Sequence, residues 1–325
     1  MGTEFKTLGR SGIQISALGV GCWAMGGSWG GQTDDADSIR SIHKALDLGV
    51  NFFDTADVYG FGRSERVLGK ALEGRRSQAV IATKFAWRWD EAQQKMTEPT
   101  ADPEYVRSAC EASLRRLRTD WIDLYQFHWN DFGPEGAEAV IEVLEELVAA
   151  GKIRSYGWST DYEERARAFA AGPNCTAIQS EINVINDNPG VLQICEEFDL
   201  ASINRGPLAM GLLTGKYQAG HTMPQDDIRG PHAPGWMKYF KDAQPNPEWL
   251  DQANKVSEVL RSGGRTLAQG AIAWLWARSE KCVPIPGFRS VAQVEENCGA
   301  LEFGPLTAEQ MKEIDEILGR GAEVA

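Results

Sequence analysis

Short apolar runs recur along this chain, and between them lie longer stretches whose apolar residues fall three and four positions apart. The first pattern is that of buried strands, the second that of one-faced helices. Residues 5–16 read as a hairpin, two alternating runs around a Gly/Ser turn. From Leu18 onward the alternation becomes regular. Strands are expected at 18–21, 50–53, 79–83, 122–127, 153–158, 176–178, 200–203 and 282–285. Helical spacing fills 34–48, 64–72, 105–118, 135–150, 162–171, 190–198, 248–261 and 266–278, and two more helices are expected near 291–301 and 307–318. The polar stretch before Pro103 and the Gly/Pro-rich stretch 206–247 read as loops. Eight strands alternating with helices predict one α/β domain over residues 1–325, a (β/α)8 TIM barrel with an N-terminal β-hairpin and extra C-terminal helices.

One competing pattern fails on its context. Gly19, Gly21 and Ala24 have the spacing of a dinucleotide-binding turn, but that turn must open a helix. Here Met25-Gly26-Gly27-Ser28-Trp29-Gly30-Gly31 follows, a stretch no helix would tolerate. A barrel instead carries its active site at the C-terminal ends of its strands. Asp54, Lys84, His128, Ser159, Gln179 and Arg205 all fall there. Six polar groups at equivalent strand ends point to the lining of one site.

Composition narrows the partners. The chain has 325 residues, 42% of them hydrophobic, and its net charge of -13 argues against nucleic acid or an anionic membrane surface. No run has the length of a membrane span and the N-terminus has no apolar signal core, so a cytoplasmic location is expected. The six cysteines form no C-x-x-C pair and read as reduced thiols, while the four histidines lack zinc-ligand spacing. No metal is expected, and the oligomeric state stays open.

Asp54 ends an apolar run, and Tyr59 follows it within a Gly-marked loop, Gly60-Phe61-Gly62. Closing the barrel would bring Asp54, Tyr59, Lys84 and His128 to one mouth. A free phenol, with a pKa of about 10, exchanges protons poorly near neutrality. A neighbouring ammonium lowers that value, which is the part expected of Lys84, with Asp54 as the buried counter-ion. His128 would donate a hydrogen bond to a substrate oxygen or steer the Tyr proton. Together these groups make a proton donor for a carbonyl or alcohol oxygen. No nucleophile elbow is present, because Gly157-Trp158-Ser159-Thr160-Asp161 lacks the second glycine.

These segments resemble the aldo-keto reductases, in the bacterial and potassium-channel-β-like group. The matching residues are Asp54-Thr55-Ala56-Asp57-Val58-Tyr59-Gly60, Thr83-Lys84-Phe85, Leu124-Tyr125-Gln126-Phe127-His128-Trp129, the run from Pro207 to Lys216, and Ile285-Pro286-Gly287 with Glu296-Asn297. The resemblance runs nearly end to end and implies NADPH-dependent carbonyl reduction without metal. It implies Tyr59 as general acid, with Asp54, Lys84 and His128 completing a tetrad. Ser159 and Gln179 match the family's ligands for the nicotinamide carboxamide, and Thr160 stands where Asn is usual. Arg205 stands where many members stack a Tyr under the nicotinamide. Pro207, Leu208, Gly211 and Lys216 match the loop covering the pyrophosphate. Gly287, Arg289, Gln293, Glu296 and Asn297 match the adenosine-phosphate end, so NADP(H) is the implied cofactor.

Trp23, Trp29, Trp87, Trp89, Trp129 and Trp236 lie on segments able to reach the mouth. Of the mouth residues, Trp23, Tyr59, Trp87, His128 and Trp129 are expected to line the substrate, Trp23 also touching the cofactor. An aromatic cleft suits an aryl aldehyde, a quinone or a sugar face, and the sequence does not choose among these. Two alternatives to carbonyl reduction stay open: oxidation of a sugar or alcohol, and a slow cofactor-binding redox sensor or auxiliary subunit.

Overall fold

The computed structural model describes residues 5–27, 34–90 and 92–320, so Trp29 lies outside the described residues. The chain opens with β1 (Phe5–Thr7) and β2 (Gln14–Ser16), an antiparallel hairpin pairing Phe5 with Ser16. Next come β3 (Gly19–Gly21), α1 (Asp35–Asp47), β4 (Phe52–Asp54), α2 (Arg63–Ala71) and β5 (Val80–Phe85). A second hairpin, β6 (Trp87–Asp90) and β7 (Lys95–Pro99), precedes α3 (Pro103–Leu117) and β8 (Ile122–Phe127). Then follow α4 (Ala137–Ala149), β9 (Ile153–Ser159), α5 (Glu163–Ala170), β10 (Cys175–Glu181), α6 (Pro189–Glu197) and β11 (Ala201–Arg205). The long loop after β11 holds a small hairpin, β12 (Phe240–Lys241) and β13 (Gln244–Pro245). The rest is α7 (Pro247–Arg261), α8 (Leu267–Arg278), β14 (Cys282–Pro284), α9 (Val291–Cys298) and α10 (Ala308–Ile317).

Eight parallel strands lie side by side in the order β3-β4-β5-β8-β9-β10-β11-β14. The ring closes through a single bridge between Gly21 and Gly287, where the Gly21 N–H donates to the Pro286 carbonyl at 3.0 Å. This is the predicted (β/α)8 barrel. Alternation along each strand sends one set of side chains inward and the other toward the helices. Phe52, Val80, Ala82, Leu124, Ile203 and Val283 pack inside the ring, and Leu8, Ile13 and Ile15 of the hairpin join them at its floor. Phe53, Phe85, Tyr125 and Phe127 belong to the outer layer under the helices.

Local signals set the helix starts. The Asp34 side chain accepts from the Ala36 N–H, and Asp102 accepts from Tyr105 with Pro103 in the first turn of α3. Capping boxes open α8, with Thr266 and Gln269, and α10, with Thr307 and Gln310. Two departures from the sequence reading have one cause. The stretch read as a polar loop before Pro103 contains β6 and β7, whose Lys95, Met96, Thr97 and Glu98 are exposed and so carry no apolar alternation. Likewise β5 continues through Lys84 and β10 through Gln179 to Glu181, because ladder pairing persists where the side chains turn polar. Among the described residues no helix is long and apolar enough to cross a membrane.

Candidate active site

Strand register assembles the rim. Gly21 pairs with Asp54, Lys84 with Gln126, and Ser159 with Gln179, so side chains distant in sequence meet at the carboxyl ends of the strands. At the centre the Lys84 ammonium is fully buried and meets three acceptors. These are Asp54 Oδ1 at 2.6 Å, the Thr55 carbonyl at 2.8 Å and the Tyr59 hydroxyl at 3.4 Å. Asp54 Oδ2 in turn accepts from Gln126 Nε2 at 3.0 Å and from Gln179 Nε2 at 2.7 Å. A buried charge pair is tolerated only when its remaining hydrogen-bonding capacity is filled, and here it is. Gln126 is the member that sequence reading missed, since it lies within an apolar run; a lone amide in that run was the available signal.

The Tyr59 loop is held by backbone contact. Gly60 has φ +61°, and a Cβ there would lie 2.4 Å from the Gly26 carbonyl oxygen; a Cβ on Gly26 would lie 2.7 Å from the Gly60 nitrogen. Two glycines therefore let the loop after β4 rest on the turn after β3. Ser64 Oγ donates to the Cys22 carbonyl at 2.9 Å and lies 2.8 Å from Thr55 Oγ1, tying the start of α2 to the same turn. The Tyr59 ring stacks on Trp23, centroids 5.9 Å apart, and meets the His128 ring edge-on at 6.3 Å.

Protonation follows from this packing. Desolvation pushes the Tyr59 phenol above its ordinary value, and the nearby Lys84 charge only partly offsets it. Lys84 therefore acts in the expected direction, but the expected net lowering does not occur, because burial outweighs the ammonium. For Lys84 itself, burial opposes the charge, yet Asp54 and Tyr59 prevail and hold it above the usual lysine value. Burial, then the Lys84 and Arg205 charges, press His128 well below the usual imidazole value, so it is neutral. Its Nδ1 is buried without a hydrogen-bond partner, while Trp87 Nε1 donates to its backbone carbonyl at 2.8 Å.

The remaining expected residues fall in three groups. Ser159 and Gln179 line the rim beside Asp54. Thr160 is fully buried, and its hydroxyl accepts from the Tyr162 N–H at 3.4 Å, so it serves the turn after β9. Arg205 pairs with Asp161 and lies 3.6 Å from Glu181, which also accepts from the Tyr239 hydroxyl and faces Lys238 at 3.3 Å. Asp161, Glu181 and Tyr239 thus fix the Arg205 guanidinium, a role no sequence pattern announced. Pro207 and Leu208 lead into a short helical turn, Ala209–Thr214, in which Ala209, Met210 and Gly211 all have positive φ. Gly211, at φ +101°, has the Tyr217 ring 2.9 Å from where a Cβ would stand. Buried Arg229, in bidentate contact with Asp227 and donating to the Met210 carbonyl at 2.9 Å, anchors that turn, and Lys216 is exposed beyond it.

The third group borders α9. Arg289 is exposed on the turn after Gly287, its backbone N–H donating to Gln293 Oε1 at 2.6 Å. Asn297 Nδ2 donates to the Gly287 carbonyl at 3.3 Å, and the Glu296 carbonyl accepts from Gln269 at 3.0 Å. Of the tryptophans, Trp236 lies 6.1 Å from Trp23. Trp89 instead packs on Phe61, and Trp129 on Phe132 and Phe127. The half-buried Trp129 ring packs on an aromatic cluster that continues through Trp158 and Phe169. Among the described residues no group of three or more His, Cys, Asp or Glu side chains is arranged to hold a metal ion.

Comparison with known proteins agrees with this fold. The profile of the aldo/keto reductase family matches residues 17–319. Aldo-keto reductase YhdN of Bacillus subtilis is 34% identical over 322 residues, covering 97% of this chain and 93% of that protein. The NADP(+) aldo-keto reductase yakc of Schizosaccharomyces pombe is 32% identical, covering 93% and 88%. Among solved structures, the glycerol dehydrogenase AKR11B4 from Gluconobacter oxydans superposes with a TM-score of 0.82 at 32% identity, covering 100% of this chain and 98% of the other.

Proposed function

The chain belongs to the aldo/keto reductase family, and from that premise we propose that it reduces an aldehyde or ketone to the alcohol with NADPH, Tyr59 acting as general acid. One observation carries the reading: Lys84 Nζ stands between the Asp54 carboxylate at 2.6 Å and the Tyr59 hydroxyl at 3.4 Å. When bound, NADPH supplies a hydride to the carbonyl carbon. Tyr59, neutral because its pKa is raised, gives its Oη proton to the carbonyl oxygen. Lys84 then faces the phenolate and stabilises it, and Asp54, held by Gln126 and Gln179, keeps Lys84 in place. Neutral His128, whose ring meets the Tyr59 ring edge-on, would turn a ring N–H toward the same oxygen.

For NADP(H), Ser159 and Gln179 would hold the carboxamide, Arg205 would flank the ring, and the 209–214 turn with Lys216 would cover the pyrophosphate. Arg289 and the start of α9 would take the adenosine phosphate. The name of the yeast relative, which carries NADP(+), favours the same cofactor. Likeness to a glycerol dehydrogenase favours a second reading in which the same residues run in reverse, with the Tyr59 phenolate as base toward an alcohol.

Tyr59→Phe tests the assignment. It keeps the ring stacked on Trp23 and removes the proton, so turnover should fall by about 10²–10⁴-fold, the usual contribution of a positioned acid. NADPH affinity, read by fluorescence quenching, should be retained. Near wild-type turnover in the variant would sink the role given to Tyr59.

A further inference from the structure

Tyr59, Trp23 and Trp236 form a row of three rings leading out of the mouth. The Tyr59 and Trp23 centroids are 5.9 Å apart at 26°, and those of Trp23 and Trp236 6.1 Å apart at 42°. Trp23 is half-buried, but Trp236 is 60% exposed, the most exposed large hydrophobic side chain among those described. Leaving an indole in water forgoes the stabilisation its burial would bring.

The chain nevertheless holds this indole up firmly. Trp236 sits in a turn closed by the Met237 N–H donating to the Pro234 carbonyl at 2.9 Å. The turn is anchored on both sides, by the buried Asp227–Arg229 pair before it and by buried Met237, Tyr239 and Phe240 after it. Tyr239 is itself fixed to Asn183 and Glu181.

We propose that Trp23 and Trp236 form an aromatic wall that selects carbonyl substrates bearing an aryl group, and that Trp236 is the specificity-determining residue of the pair. The claim rests on the carbonyl-reductase reading and narrows its substrate class. A carbonyl whose oxygen reaches the Tyr59 hydroxyl would have its substituent directed along the ring row, where a flat apolar group covers the exposed indole face. A small hydrophilic aldehyde has nothing to place there.

The test compares benzaldehyde with acetaldehyde in the wild type, Trp236→Ala and Trp236→Phe, using NADPH. In Trp236→Ala the ratio of kcat/KM for benzaldehyde over acetaldehyde should fall about five- to tenfold, the worth of one aromatic contact. Trp236→Phe should restore most of it, which a mere folding defect would not do. An unchanged ratio in Trp236→Ala overturns the wall. Binding of benzamide, which is not reduced, gives a readout independent of turnover: the wild type should bind it more tightly than Trp236→Ala, and equal affinities overturn the proposal. If the wild type turned over neither aldehyde but bound benzamide through Trp236, the functional reading would fail and the wall would stand.

Discussion

Lys84 is the residue on which the others depend, because its three short contacts tie a carboxylate, a backbone carbonyl and a phenol to one buried charge. Lys84→Met keeps the volume but leaves Asp54 an uncompensated buried charge. A loss of about 3–5 kcal/mol of stability is expected, measurable by urea unfolding, besides the loss of activity. Titration adds a second expectation at this scale. On the proposed mechanism, reduction needs neutral Tyr59 and neutral His128. The raised phenol stays protonated to beyond its ordinary 10.0, and the depressed imidazole stays neutral to well below its ordinary 6.5. Both titrations are pushed outward, so kcat/KM for reduction should be flat between those two values. A break in the pH–rate profile near 8 would contradict this. Asp54, Lys84 and His128 were legible in the sequence because each falls at the polar end of an apolar run, and Tyr59 because it lies in the glycine-marked loop that follows Asp54. Gln126 was not, since one amide between Tyr125 and Phe127 does not change the look of a strand, and the net direction at Tyr59 was not, since burial cannot be weighed against charge without packing.

At the scale of elements, the proposed function puts the choice of dinucleotide on the turn between β14 and α9. Its backbone is fixed through Gln293 to the Arg289 N–H and through Asn297 to the Gly287 carbonyl, and the Arg289 residue is exposed on that turn. Arg289→Ala should weaken NADPH by about 1.5–3 kcal/mol, the worth of a hydrogen bond to a charged group, and NADH far less. Equal losses for the two in fluorescence titrations would mean that Arg289 supports the turn and not the phosphate. Strands and helices were legible wherever burial imposes a period. The β6–β7 hairpin and the internal order of the 206–247 loop were not. The first pairs exposed residues, and the second depends on Arg229, paired with Asp227, reaching back to the Met210 carbonyl, a contact with no local signature.

For the whole molecule, the barrel is a ring of eight strands with one weak seam. Neighbouring strands are paired along their length, but among the described residues β3 is joined to the far end of the sheet by one bridge, Gly21 with Gly287, in which the Gly21 N–H donates to the Pro286 carbonyl. Local opening begins where the fewest bonds must break. The seam is therefore where the ring should breathe first, with the Gly21 amide exchanging with solvent sooner than those of β8 or β9. Gly287 is also the first residue of the turn assigned to the adenosine phosphate. A dinucleotide held there would bind the closed ring in preference to the open one, and at a hundred times its dissociation constant would favour it by about 2.7 kcal/mol. Adding NADP(+) should then slow deuterium uptake at Gly21 by about a hundredfold. If protection at Gly21 stayed the same while the melting temperature rose, closure of the ring and occupancy of the site would be independent events. Otherwise the cofactor is also the last staple of the barrel.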